Sequence, residues 1–528
     1  MAGAGSISAP AIVYKGVWAM THYSDLEFLK LSRGQKIGYK LASFFRSIPV
    51  GIANFFKKIG LGIGKGCKAV GREIADIGRT FRDGDIHTKM SFFIMGWGNL
   101  ARGQILRGLM FLLFEIVFIG YMVLTGGYWL SMLPTLGTKG PVKELDPILD
   151  VFVTKYYDNS FKILLYGVLT LFFIAAFIYT WRVNIKQNKL AEQILKSGKK
   201  LKSGREDLRS MVDDKFHKTL LALPMTGIIV FTVLPIVFMI LVAFTNYDGT
   251  HDGYYSNLFT WVGLDNFNTL LGWSSGNKAY SAAFGEILTW TLIWAFFATF
   301  TNYFLGMMVA MLINKKGIRL KKVWRTVLVL TIAVPQFISL LYVSKMFAKN
   351  GLINQGLMSL GWITQALPFW EDATWARITV ILINIWIGIP YLMLITTGIL
   401  MNIPQDLYES ARIDGANAWQ QYSKITLPYM LFVTGPYLLT SFTGNMNNFN
   451  VIYLLTGGAP TNPAASTAAG SVGYTDLLIT WLFKITTGAE SKYYMASVVG
   501  IMVFVVVALI SLVVYSAMPS IKNEEDFQ

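Results

Sequence analysis

The sequence predicts an all-α, polytopic membrane protein with about eight transmembrane helices. Three observations carry that prediction. Only 14% of the 528 residues are charged while 54% are hydrophobic, against about 25% charged residues in soluble domains. The apolar residues come in blocks of roughly 20 or more, the length that crosses a bilayer as a helix. Lysine and arginine crowd some of the loops between blocks and avoid others.

The blocks fall at approximately 105–125, 161–181, 219–245, 285–313, 326–346, 376–400, 429–456 and 494–517. Each is expected to be helical, because lipid offers no partner to an unpaired backbone amide. Pro224 and Pro235 in the third, and Gly435–Pro436 in the seventh, predict bends or breaks. Residues 183–218 are dense in cations, from Lys186 and Lys189 through Arg205 and Arg209 to Lys218. The loop between the fourth and fifth blocks carries Lys315, Lys316, Arg319, Lys321, Lys322 and Arg325, whereas 246–283 has only Lys278. Basic loops stay in the cytoplasm, so both termini are expected inside.

Ahead of the first block, residues 1–104 read as a basic cytoplasmic segment. Phe44, Phe45, Ile48, Ile52, Phe55, Phe56 and Ile59 alternate with Lys40, Arg46, Lys57 and Lys58 at roughly helical spacing. Such a stretch either lies on the anionic inner leaflet or packs as a helix on the rest of the protein. Gly60, Gly62, Gly64 and Gly66 weaken helix there. Residues 105–218 then hold two spans and a basic loop, 219–517 hold six more, and 518–528 form a cytoplasmic tail. The first strongly apolar block begins near residue 105, too late and too long for a signal peptide.

The net charge of +16 sits beside the membrane-crossing blocks, which points to lipid and not to nucleic acid. The single cysteine, Cys67, permits no intramolecular disulfide. Gly64–Lys65 invites a phosphate-loop reading, but Ile59 stands where the first glycine belongs and Gly66 follows the lysine in place of Ser or Thr. His22, His87, His217 and His251 show no metal-ligand spacing. No catalytic residue, metal site or cofactor is expected.

Residues 402–428, between the sixth and seventh blocks, read as a short helix, a turn and a second short helix. Pro404 suits a first helical turn and Asp406 the positive end of its dipole. Asp414–Gly415 favours a turn, and Pro428 stands where the next span must start. Glu409-Ser410-Ala411, three residues, Gly415, nine residues, then Ile425-x-Leu427-Pro428 resembles the EAA motif of binding-protein-dependent ABC importer permeases. Ser410 stands where that family usually has Ala. The resemblance runs from about the third block to the eighth and is nearest to sugar permeases of the maltose type, which have two extra N-terminal spans before a core of six. It implies that the loop docks on an ATP-hydrolysing subunit and that ATP is used there, not by this chain. It implies two such ATPase subunits, a second permease subunit and an extracellular sugar-binding protein, all at a bacterial cell membrane. The large insertion those proteins carry after their third span is here a short outer loop near 246–283.

The seventh block contains Ser441-Phe-Thr-Gly-Asn-Met-Asn-Asn-Phe-Asn450, and polar groups at that depth face protein or a water-filled path. Ser441, Asn445 and Asn448 recur at i, i+4 and i+7, with Gly444 on the same stripe. Asn447 and Asn450 point elsewhere, toward neighbouring helices. The sixth block offers a matching face, with Ile387 or Gly388 one turn from Tyr391. The stripe either contacts a sugar or glues helices together. The resemblance favours the sugar, matching Ile387, Gly388, Tyr391, Ser441, Asn445 and Asn448, while Gly444 replaces an aromatic residue. Glu115, inside the first block, either pairs with a neighbour or relays a proton. An ion-coupled secondary sugar carrier is the alternative function, though no internal repeat is visible and only Glu115 lies deep. An enzyme acting on lipid-linked sugars would need an acid–base pair that the blocks lack.

Overall fold

The computed structural model describes residues 32–148, 150–273, 278–315, 317–466 and 470–517. The expected tail at 518–528, the first 31 residues, and the apolar side chains behind the amphipathic reading of Phe44 to Ile59 lie outside the described residues. Among those described, seven helices are long and apolar enough to cross a bilayer: Ile105–Met132, Ser160–Lys196, Phe216–Val242, Ala279–Asn314, Ala373–Leu400, Ala418–Met446 and Tyr493–Tyr515. Lys321–Ala333 and Gln336–Met346 meet at 91° and reach that length and apolarity only as a pair, as a broken span or a re-entrant loop. We number these spans one to eight in chain order, the bent pair being span five.

Span five differs from the straight helix expected at 326–346. Val334 is extended (φ −79°, ψ 127°), the conformation that a following proline imposes on its neighbour. Pro335 lacks the N–H that would carry the helix on. The prolines of spans three and seven act more gently. A five-residue π turn stands just before Pro235 (Ile229–Val233) and another just before Pro428 (Tyr422–Thr426), where regular α bonding fails. Pro436 stays inside a continuous helix. Span seven instead stops at Met446, and Phe449–Leu455 starts a new helix, so the block at 429–456 is two elements. Asn447 and Asn448 compete with the helix ladder for their own backbone.

Spans four and six form the centre: 39% of the most apolar stretch of each is buried, against 6% for span three. Trp290, Trp294 and Ala298 of span four pack with Val380 and Ile383 of span six and Leu340 of span five. Small residues let the helices approach. A Cβ at Gly306 would lie 2.7 Å from Leu392 Cβ, and one at Gly388 2.3 Å from Asn302 Nδ2. On the side of the cation-poor loops, an antiparallel hairpin of β1 (Val142–Asp146) and β2 (Val151–Lys155) joins spans one and two, an element the apolar pattern did not predict. The loop after span three reaches back to the end of span one, with Trp261 Nε1 donating to Leu133 O at 3.0 Å.

Residues 84–104 are no loose prelude. They wedge against the basic extension of span two. Asp85 caps the turn at Thr88, accepting from its N–H at 2.7 Å. The Arg102 side chain, 3% exposed, pairs with Asp85 at 2.6 Å and donates to Thr88 Oγ1 and Asn188 Oδ1. Glu192 accepts from Asp85 N and Thr88 Oγ1. Asn188 donates to Asn99, Asn99 to Gln104, and Asn184 to Ser91 O. Glu115 Oε2 accepts from Met95 N at 2.8 Å, so that carboxylate serves a neighbouring segment. Gly96, with φ +81°, leaves no room for a side chain: a Cβ would meet Gly108 O at 2.1 Å. Before the wedge, Arg33–Asp83 forms one helix of 51 residues. It runs through Gly60 to Gly66 unbroken, against expectation, and those glycines meet open space.

Candidate functional site

The bend in span five creates a cavity of about 440 Å³. Thr331–Gln336 and Ser339 form one wall, and Trp386, Ile387 and Tyr391 of span six form the other. Its lining holds no charged side chain. It offers one amide, hydroxyls and two aromatic rings, with irregular backbone at membrane depth, which is tolerated where it lines a cavity or is buried in protein. Of the expected binding residues, Ile387 and Tyr391 are here. Gln336 and Ser339 were not foreseen, although Val334–Pro335 inside an apolar block was the available signal.

Span seven approaches from the side. Tyr437 lies near both Ser441 and Tyr391. Gly444 faces open space. Asn445 Nδ2 donates to Thr299 Oγ1 of span four at 3.0 Å, and its Oδ1 accepts from Asn448 Nδ2 at 3.3 Å. Its backbone carbonyl accepts from Trp294 Nε1. Asn448 lies past the helix end, so the i, i+7 relation no longer places it. It caps Phe449–Leu455 by accepting from Val451 N at 3.4 Å. Asn447 bonds back to Thr443 O in its own helix, where a neighbouring helix was expected. Gly388 turns toward Asn302 of span four. The stripe is thus partly committed to holding spans four and seven together.

Two buried amides escaped the sequence reading. Asn302 Oδ1 and Asn384 Nδ2 are buried without a hydrogen-bond partner. Asn384 precedes Gly388 by four residues and Tyr391 by seven, a helix-face spacing that was legible.

The 402–428 loop is the second candidate region. Gln405–Ile413 forms the first helix, with Pro404 just outside it. Gly415 turns the chain at φ +77° with open space around it, so backbone conformation and not crowding requires glycine. Its N–H donates to Arg412 O, and Ala416 N to Ala411 O at 2.8 Å, the closure of a helix C-terminus. Asn417 and Gln420 make a capping box for Ala418–Gln421. Tyr408 and Thr426 share a hydroxyl hydrogen bond at 2.9 Å, fastening the first helix to the foot of span seven near Ile425, Leu427 and Pro428. Glu409, Ser410 and Asp414 are exposed. Ile413 is 87% exposed and Trp419 71%, a large apolar surface for a short polar loop.

Residues 302–522 match the family model described as the binding-protein-dependent transport system inner membrane component. The maltodextrin transport system permease protein MalC of Streptococcus pneumoniae is 33% identical over 442 residues, covering 82% of this chain and 95% of that protein. The chain belongs to this family of transport permeases. The permease is also 32% identical to the galactooligosaccharides transport system permease protein GanP of Bacillus subtilis, over 82% of this chain and 97% of that one. The maltose/maltodextrin transport system permease protein MalF of Escherichia coli is 34% identical over 255 residues, 47% of this chain and 49% of that protein. Among solved structures, a bacterial ABC transporter that imports the acidic polysaccharide alginate aligns over 59% of this chain and 97% of that chain, at 19% identity and a TM-score of 0.46. The family is one of transport components, not enzymes, and the permease is a multi-pass membrane protein. The matched region contains the cavity, the polar stripe and the 402–428 loop.

Proposed function

We propose that this permease is the translocation subunit of an ATP-binding-cassette importer for neutral sugars, maltodextrin-like oligosaccharides in particular. The observation that carries the reading is the uncharged, aromatic-walled cavity at the break of span five. A sugar presents hydroxyls, which need neutral donors and acceptors, and flat ring faces, which need an aromatic wall. Trp386 and Tyr391 supply the wall, while Gln336 and Ser339 supply polar atoms, and Ser441 would add a hydroxyl from span seven. The volume falls within the range of small-molecule sites, about 300–1,000 Å³. The names of the relatives point to the same substrate class. Asn445 and Asn448 would contact sugar with the bonding capacity left over from span four, Gly444 would leave room beside it, and Gly388 would set the spacing to Asn302.

The 402–428 loop would dock on a separate ATPase subunit, with Ile413 and Trp419 as its apolar contacts and Glu409, Ser410, Ala411, Asp414 and Gly415 at the turn. Two ATPase subunits, a second permease subunit and an external binding protein would complete the importer. ATP bound by the partners would close them, draw the loops together and open the cavity outward, and hydrolysis would reset it. Both termini and the basic loops would then be cytoplasmic.

Sugar uptake by the assembled complex tests the site: Asn445→Ala with Asn448→Ala abolishes it in a stably inserted protein. Unchanged uptake would refute the binding role. For the loop, Gly415→Asp inserts normally but uncouples ATP hydrolysis from transport, and full uptake by that variant would remove the docking role.

A further inference from the structure

The long N-terminal helix and the foot of the wedge share an unpartnered surface whose chemistry matches a lipid headgroup layer. Arg33–Asp83 contains eleven Lys or Arg against three Asp or Glu, a net +8. All three carboxylates are already used, Asp83 by its neighbour Arg82. Glu73 pairs with Arg182 and Lys186, and Asp76 with Lys189, all on span two. The helix therefore presents an almost unopposed cationic face, with Lys57, Lys65, Lys68 and Arg72 exposed. A different face carries Cys67, Val70, Ile74, Ile77 and Phe81 at three- and four-residue spacing. In the sequence, Phe45, Ile48, Ile52, Phe56 and Ile59 continue that pattern upstream. Val70 and Ile74 are exposed although apolar.

The wedge extends this apolar surface. Phe81 packs edge-on against Phe92 and Phe93. Beside them Ile86 is 66% exposed, Phe93 70% and Trp97 42%. These side chains stand just before Ile105, where span one begins, and the helix also touches spans two and eight. Aromatic side chains at the start of a span are interfacial anchors, and a helix with one basic and one apolar face lies in the plane of an anionic surface.

We infer that residues 33–97 are a lipid-binding element, which lies along the anionic headgroups of the cytoplasmic leaflet and is tied to span two by the Glu73 and Asp76 ion pairs. The cationic face selects anionic lipid, each cation near the surface contributing about fivefold to partitioning. The aromatic foot sets the depth. The assignment to the cytoplasmic leaflet rests on the orientation proposed above, whereas the lipid preference itself does not.

Cys67, the only cysteine, lies exposed on the apolar face and accepts an environment-sensitive fluorophore without further engineering. The full-length chain, labelled there, is placed in nanodiscs of phosphatidylcholine alone or of phosphatidylcholine with one-third phosphatidylglycerol. Both leaflets of a disc are alike, so the outcome is independent of orientation. The expected result is a blue shift with about a twofold gain in emission in the anionic discs. It should shrink in about 1 M salt, where the Debye length falls to about 3 Å. Replacing Lys57, Lys65 and Lys68 by Gln should abolish the difference between the discs while the chain stays monodisperse. Equal emission in both discs would overturn the proposal. So would a shift that the triple Gln variant retains, or one that appears only when ATPase subunits are added, which would make the occupant a protein. Sugar uptake measured in parallel separates this result from the transport reading, since failure of either leaves the other standing.

Discussion

Two groups of buried amides and hydroxyls lie in this apolar molecule, and they are wired differently. In the wedge, Asn99, Asn184, Asn188 and Gln104 are tied to one another and to Ser91, Gly96 and Arg102. Of that group's side-chain atoms, only Arg102 Nε is buried without a partner. Between spans four and six, the same residue types leave Asn302 Oδ1 and Asn384 Nδ2 unbonded, a short distance along the helix from Tyr391 and the cavity. A nearly closed network rigidifies, because almost every dipole already has its partner. An open one keeps bonding capacity that folding did not use, at a cost of about 1–3 kcal/mol per group. The contrast separates polar residues whose bonds are spent on the fold from polar residues with bonding capacity left over.

The contrast is most exposed at Arg102. Replacing it with Ala leaves Asp85 short of its cation and Thr88 and Asn188 short of a donor, which should destabilise the fold by about 1.5–3 kcal/mol. Thermal unfolding in detergent, with protease access to residues 84–104, measures this. A loss below about 1 kcal/mol would mean that the closed network is ornamental. Asn384→Leu should do the reverse. Removing an amide whose nitrogen has no partner costs the fold less than about 1 kcal/mol, but it should lower sugar uptake by about tenfold. Should the melting temperature fall while uptake holds, Asn384 belongs with the wedge residues and the contrast fails.

Gly444 sharpens the comparison from the other direction. It faces open space, so Gly444→Phe should fold normally and put a ring on the face of span seven that carries Tyr437, seven residues earlier. One well-placed aromatic contact is worth about 0.5–1.5 kcal/mol, up to about a tenfold shift in apparent affinity between short and long maltodextrins. Competition uptake assays read that ratio, and an unchanged ratio would remove Gly444 from the sugar path.

Much of this was legible in the sequence, and the failures share a cause. Apolar block length found the eight spans, because lipid imposes it on each segment separately. The 402–428 turn was legible because Pro404, Gly415 and Pro428 act on their own backbone. The bend at Val334–Pro335 was missed even though Pro335 was in plain view: a proline in a span is compatible with a π turn, as before Pro235, or with a 91° break, and only the neighbouring helices decide which. Asn448 was misplaced by assuming that the helix ran on through two consecutive asparagines. The docking of the wedge could not be read at all, since the bonds that tie it to span two join residues some 80 to 110 positions apart, such as Arg102 with Asn188 and Thr88 with Glu192.

Acid provides the gentlest probe of the closed network. Burial pushes the Asp85 carboxyl up, but the Arg102 guanidinium and the Thr88 bonds outweigh it and hold the pKa below its ordinary 3.8. Asp85 stays charged in the folded protein at pH values where the unfolded chain would take up a proton. Its contribution is therefore complete above about pH 4 and is lost only as pH falls through the lower, folded value. Glu73, held down by Lys186 and Arg182, and Asp76, held down by Lys189, change in the same direction. Protease access to the wedge should accordingly stay flat from pH 7 to pH 5 and rise below about pH 4. Asp85→Asn should remove part of that acid response and leave the share of the two helix carboxylates. The open pair, Asn302 and Asn384, carries no proton to lose, so sugar binding should show no matching transition. A binding curve that fell together with wedge protection would mean the two networks are mechanically one.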